Sequence, residues 1–134
     1  MKPSIITIHL FFLFVGLFLG LALQAQPITN GGFTNATSGT LYDTGDSGGD
    51  YGPNENIVYT ICPSNSNCVQ LDFFSFSTEL NSDILNIYDG PNTASPLIGS
   101  YSGDINITFG INGIITAASG CVTLEFISNG STQS

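Results

Sequence analysis

Basic side chains are almost absent from this chain. Lysine and arginine together number 1 (Lys2), and histidine numbers 1 (His9), against 10 aspartates and glutamates in 134 residues. The formal net charge is −9, and every carboxylate lies after His9. Nothing in that long acidic part can neutralise phosphates, which excludes nucleic acid as a partner. Anionic membrane surfaces are disfavoured for the same reason. The shortage also removes triad chemistry, because no downstream histidine or lysine can activate a serine or threonine. Tryptophan is absent, so the ring on which sugars most often stack is missing. There are 3 cysteines and no C-x-x-C pair, which makes a zinc site improbable. No helical period and no internal repeat is found after the N-terminal apolar run. Basic proteins, metal cations and neutral sugars remain as partners.

The N-terminus reads as a leader. Lys2 precedes an apolar run from Ile5 to Leu23, followed by Gln24-Ala25-Gln26-Pro27. A charged start, a long apolar stretch and a small residue at the cut are the pattern of a signal peptide, with cleavage expected after Ala25. The alternative is an uncleaved anchor, since the run nearly reaches spanning length. The polar flank without stop-transfer charges favours export. Residues 1–25 are thus read as signal, 26–38 as a Gly/Asn/Thr/Ser linker, and 39–134 as one domain. The expected location is secreted or at the cell surface, with no membrane association once the signal is removed. Three cysteines in an exported chain imply at least one disulfide and a thiol left over.

The domain reads as many short strands. Ile57, Tyr59 and Ile61 alternate at period two, as do Val69, Leu71 and Phe73, then Leu85 and Ile87, then Val122, Leu124 and Phe126. Leu97–Tyr101, Ile105–Phe109 and Ile114–Ala118 are further short strands between Gly and Asn turns. This pattern predicts an all-β, two-sheet antiparallel sandwich. The loop Asp43–Asp50 is acidic and glycine-rich. Its acids are spaced three and four apart, which fits no EF-hand loop, so it reads as a tight turn with positive φ at its glycines. The bend between the two central strands carries Glu79 and Asp83 beside Asn81 and Ser82. Two carboxylates can in principle hydrolyse a glycosidic bond, but a bend beside a narrow sandwich offers no evident cleft.

Four motifs in order resemble the CUB domain family. Val69, Leu71, Phe73, Phe76 and Glu79, then Asp83, Leu85, Ile87, Tyr88, Asp89 and Gly90, fill the family's central pattern. Tyr51–Asn56 with Tyr59-Thr60-Ile61 resembles its first core strand. Leu97–Gly103 resembles L-x-G-x-F-C-G, and Cys121–Asn129 resembles L-x-I-x-F-x-S-D. The wording is most similar to CUB modules of large secreted bacterial proteins. The resemblance implies a CUB-like jelly roll lacking its final G-W-x-A strand, with an open edge or unfilled groove beside 57–62 or 122–127. It also implies that strands 57–62 and 122–127 are antiparallel neighbours. Alternation puts Cys62 and Cys121 outward, which suits a Cys62–Cys121 bridge; Cys62–Cys68 is the close alternative. The family's disulfide between the bend and the F-C-G strand is missing, with Ser102 at one of its positions.

The resemblance further implies a calcium site. In calcium-binding members a glutamate and an aspartate of the bend and an aspartate of the late loop hold the ion, supported by a tyrosine near the first core strand. By motif position these become Glu79, Asp83, Asn129 and Tyr51, with Ser131 and the 128–131 loop supplying further oxygens. Asn129 keeps a carbonyl but drops one charge. Each residue also has an ordinary reading: solvated bend acids, a core tyrosine, an Asn-Gly turn. The expected function is a non-catalytic extracellular binding module. It would take a basic protein partner, through a lysine, with calcium assistance, or serve adhesion. The alternatives are a carbohydrate-binding sandwich that takes a glycan, or a structural or accessory domain of a larger secreted enzyme or adhesin.

Overall fold

In chain order the strands are β1 (Ile5–His9), β2 (Ala25–Pro27), β3 (Gly32–Thr34), β4 (Gly39–Tyr42), β5 (Asn56–Ile61), β6 (Val69–Phe73), β7 (Ile84–Tyr88), β8 (Leu97–Tyr101), β9 (Ile114–Ala117) and β10 (Val122–Ile127). They come from a computed structural model of the whole chain, which describes residues 5–9, 25–27, 31–104 and 113–131. The strand expected at Ile105–Phe109 lies outside the described residues. Helix is confined, among the described residues, to a 3-10 turn at Asp46–Gly48. No helix among them is long and apolar enough to cross a membrane.

Alternation decides the layers. In β6, Val69, Leu71 and Phe73 are buried while Gln70 and Asp72 are half-buried. In β7, Leu85 and Ile87 are buried between half-buried neighbours. Strands with one apolar face stack in pairs to hide it. One sheet has the order β2-β4-β1-β6-β9 and the other β3-β5-β10-β7-β8. Leu41, Leu71 and Ile115 from the first meet Ile61, Ile87 and Leu124 from the second in one core. Burying a side chain of this size stabilises the fold by about 1.5–3 kcal/mol. Most neighbours are antiparallel, but β2 runs parallel to β4 and β3 parallel to β5.

Four details differ from the sequence reading. First, β3 lies in the stretch read as linker. It pairs with β5, setting Gly32 opposite Tyr59, and a Cβ on Gly32 would come within 2.5 Å of the Tyr59 ring. The glycine that suggested a loop is what lets this strand lie against an aromatic ring. Second, β1 belongs to the apolar run read as leader, yet here it stands between β4 and β6. Ile6 is opposite both Leu41 and Phe73, and Ile8 opposite Gly39 and Leu71. Third, the open edge expected beside 57–62 or 122–127 is absent: β5 lies between β3 and β10, and β10 between β5 and β7. Fourth, in the Asp43–Asp50 loop the positive φ falls on Asp46 (60°), not on a glycine. Gly45 is needed there for space instead, since a Cβ would meet the Asp50 carbonyl oxygen at 2.4 Å.

Register also settles the cysteines. Val122 is opposite Ile61, so Cys121 and Cys62 are adjacent at the strand ends. Their Cα atoms are 4.3 Å apart and they form the disulfide, closing a separation of 59 residues. Cys68 is the free thiol and is half-buried, so the Cys62–Cys68 alternative does not hold.

Candidate functional site

The bend between β6 and β7 is built locally. The Glu79 carbonyl accepts from the backbone N–H groups of Ser82 (3.1 Å) and Asp83 (3.0 Å). Asn81 takes φ of 63°, a left-handed conformation that asparagine tolerates better than most residues. The bend is also tied to the end of β8. Thr78 Oγ1 donates to the Asp83 carbonyl (3.1 Å) and accepts from Gly103 N–H (2.9 Å). Asn81 N–H donates to Ser102 Oγ at 3.0 Å. Ser102, at a position where the family pattern has cysteine, thus joins the same two segments by a hydrogen bond.

Two more loops close over the bend. Asn54 N–H donates to the Asn129 carbonyl (2.6 Å), and Ser128 N–H to the Glu55 carbonyl (3.0 Å). Ser128 Oγ accepts from Glu55 N–H (2.8 Å) and donates to the Gly52 carbonyl (2.9 Å). These bonds hold residues 51–55 against residues 128–131 beyond the register of β5 and β10.

Glu79, Asp83, Asn129 and Tyr51 meet in this place. Asp83 is fully buried, at 0% exposure. Its Oδ2 accepts from the Tyr51 hydroxyl at 2.6 Å, and its Oδ1 from Asn129 N–H at 2.7 Å. The Tyr51 oxygen also accepts from Glu79 N–H at 3.2 Å. Tyr51 is held edge-on against Phe126, with ring centroids 4.7 Å apart. Asn129 Nδ2 donates to Glu79 Oε2 at 3.0 Å, while Asn129 Oδ1 accepts from Ser131 N–H at 2.6 Å. Ser131 enters this network through its backbone.

The electrostatics follow from composition. A buried carboxylate is costly unless compensated. Neutral donors meet Asp83, each hydrogen bond to a charged acceptor contributing about 1.5–3 kcal/mol. No basic side chain lies after His9 to bring positive charge to Asp83 or Glu79. The donor set is carboxylate, amide and hydroxyl oxygen with no sulfur or imidazole, which fits calcium or another hard cation rather than zinc. Glu79 is exposed, whereas Asp83 is buried with both carboxylate oxygens met by neutral donors. Asn129 differs: its amide turns N–H towards Glu79, so a neutral donor stands at the exposed carboxylate.

Sequence reasoning missed the supporting groups. Glu55 has Oε1 accepting from Gly52 N–H (2.7 Å) and from the Thr44 hydroxyl, while its buried Oε2 has no hydrogen-bond partner among the described residues. Glu55 and Ser128 lay inside matched motifs, which was the available signal. Thr78 carried none that distinguishes it from any polar bend residue.

A sequence model described as the CUB domain matches residues 31–134. Cubilin from Homo sapiens is 35% identical over 88 residues, covering 63% of this chain and 2% of that protein. Cubilin from Canis lupus familiaris is 35% identical over 89 residues, with the same coverages of 63% and 2%. The chain therefore spans about 2% of the length of these curated relatives.

Proposed function

The chain belongs to the CUB domain family, and on that premise we propose that it is an exported, non-catalytic binding module. In this reading Glu79, Asp83 and Asn129 take up calcium and present their loop cluster to a basic extracellular protein. Modules of this family are typically extracellular and protein-binding. One observation carries the calcium reading. Asn129, distant in sequence from Glu79 and Asp83, shares one hydrogen-bonded cluster with them around the Tyr51 hydroxyl, in a chain with no basic side chain after His9. Calcium would supply the missing positive charge and fix the carboxylates in one orientation. Asp83 and Glu79 would hold it, Tyr51 would orient Asp83, and the 128–131 loop would add oxygens. An acidic surface also steers a positively charged partner.

The reading is tested by capturing a lysine-rich peptide on the immobilised protein with and without calcium. Retention is expected to require calcium, to weaken as salt rises, and to disappear in Asp83→Ala. Retention that ignores calcium, or retention of oligosaccharides instead, would replace this reading with a glycan-binding or purely structural one.

A further inference from the structure

We propose that Asn129-Gly130 is a self-modifying site, at which hydrolysis of the Asn129 amide turns its neutral contact with Glu79 into a pair of facing carboxylates. The functional consequence rests on the calcium reading above; the chemistry does not.

An asparagine followed by glycine is the pair most open to attack by the next backbone nitrogen, because glycine places no side chain in the way. Gly130 is exposed. Asn129 is half-buried, with its side-chain carbonyl oxygen accepting from Ser131 N–H at 2.6 Å. That bond draws electron density from Cγ and makes it a better electrophile. The bond from Gly130 N to Asn129 Cγ forms and the bond from Cγ to Nδ2 breaks. The proton from Gly130 N leaves with Nδ2 as ammonia, closing a cyclic imide. Water then opens the imide. Addition at Cγ gives aspartate, and addition at the Asn129 backbone carbonyl gives isoaspartate. No further reagent is needed.

The position makes this more than ageing of a loop. Nδ2 lies 3.0 Å from Glu79 Oε2. Replacing that nitrogen by a carboxylate oxygen sets two negative oxygens at hydrogen-bond distance, beside buried Asp83. Such a pair must separate, take up a proton or bind a cation. A cluster of two carboxylates met by neutral donors thus gains a third negative charge, on a timescale set by the protein's own chemistry.

The test follows the exported protein through incubation at neutral and mildly alkaline pH in water enriched in heavy oxygen. The chain has no lysine or arginine after Lys2, so peptides are mapped after cleavage at glutamate and aromatic residues. The peptide holding position 129 is expected to gain the mass of an acid with one solvent oxygen, partly as isoaspartate. Gly130→Ala, whose Cβ would come within 3.3 Å of Asn54 Oδ1, is expected to retain the amide, with thermal denaturation confirming its fold. An Asn129 amide that persists in the folded wild type while Asn30 and Asn112, each also before glycine, convert would overturn the proposal. Calcium calorimetry separates the two claims. If position 129 converts, aged protein is expected to bind more tightly than fresh, because calcium affinity rises with the number of ligand charges. Conversion with no calcium binding in either fresh or aged protein supports the modification and removes the calcium reading. No conversion, with tight calcium binding by Asn129→Asp, does the reverse.

Discussion

The Tyr51 hydroxyl donates to Asp83 Oδ2 at 2.6 Å, joining residues 32 positions apart inside the protein. The same oxygen accepts from Glu79 N–H, so one phenol orients both carboxyl-bearing residues of the bend. Tyr51→Phe keeps the ring contact with Phe126 and removes these bonds. It is expected to lose about 2 kcal/mol of stability, the range for a hydrogen bond to a buried charge. Urea denaturation measures this. An unchanged midpoint would mean that Asp83 is satisfied without Tyr51.

The Cys62–Cys121 bridge closes a loop of 59 residues of separation. Replacing both cysteines by alanine is expected to cost about 2–4 kcal/mol, mostly by freeing the unfolded chain. Blocking the Cys68 thiol should leave the unfolding midpoint close to wild type. A peptide map joining Cys62 to Cys68 would refute the assignment.

Removal of residues 1–25 takes β1 out of its place between β4 and β6. Two facing strands then expose unpaired backbone groups, which are ready templates for another strand. A chain beginning at Gln26 is expected to be less stable than the whole chain and to self-associate at raised concentration. Sedimentation compares the two. A monomer as stable as the whole chain would show that β4 and β6 are otherwise covered.

Two hydrogen-bonded groups, one acid and one alkaline, contribute to the pH response. Asp89 Oδ1 accepts from Ser119 N–H at 2.8 Å, and hydrogen bonding to Ser119 holds its carboxyl below the ordinary aspartate value. The folded state therefore binds the proton less readily than the unfolded chain. This contribution is present above the unfolded aspartate pKa, about 3.9, and is lost as pH falls through the folded value. Tyr88 donates to Glu125 Oε2 at 2.8 Å. That bond, then burial and the glutamate charge, raise its phenol. Its contribution is complete below the unfolded tyrosine pKa, about 10, and is lost as pH rises through the folded value. Asp89→Asn should flatten the acid limb of a melting-temperature profile, and Tyr88→Phe the alkaline limb. Limbs unchanged in both variants would show that other groups dominate.

The sandwich was legible because β6, β7 and β10 keep their apolar residues at period two with turns between. The meeting of Glu79, Asp83, Asn129 and Tyr51 followed from motif order. Periodicity alone does not bring residue 129 to residue 79. β3 escaped because Gly31-Gly32 removes the side-chain pattern on which strand reading depends. β1 was hidden differently. Ile5-Ile6-Thr7-Ile8 is β-branched throughout and favours a strand, but it begins an apolar run that reads as a leader. The disulfide stayed open because it depends on register, which places Val122 opposite Ile61.

Titration calorimetry of calcium on freshly prepared wild type, Asp83→Ala and Asn129→Asp tests the central claim most directly. Wild type is expected to bind, Asp83→Ala to show no heat of binding, and Asn129→Asp to bind more tightly than wild type. Thermal melts should agree, with a gain of about 2.7 kcal/mol at a calcium concentration 100-fold above Kd and a smaller gain with magnesium. No calcium binding by Asn129→Asp, which carries all three carboxylates, would contradict the account and return Glu79 and Asp83 to a structural role in the bend.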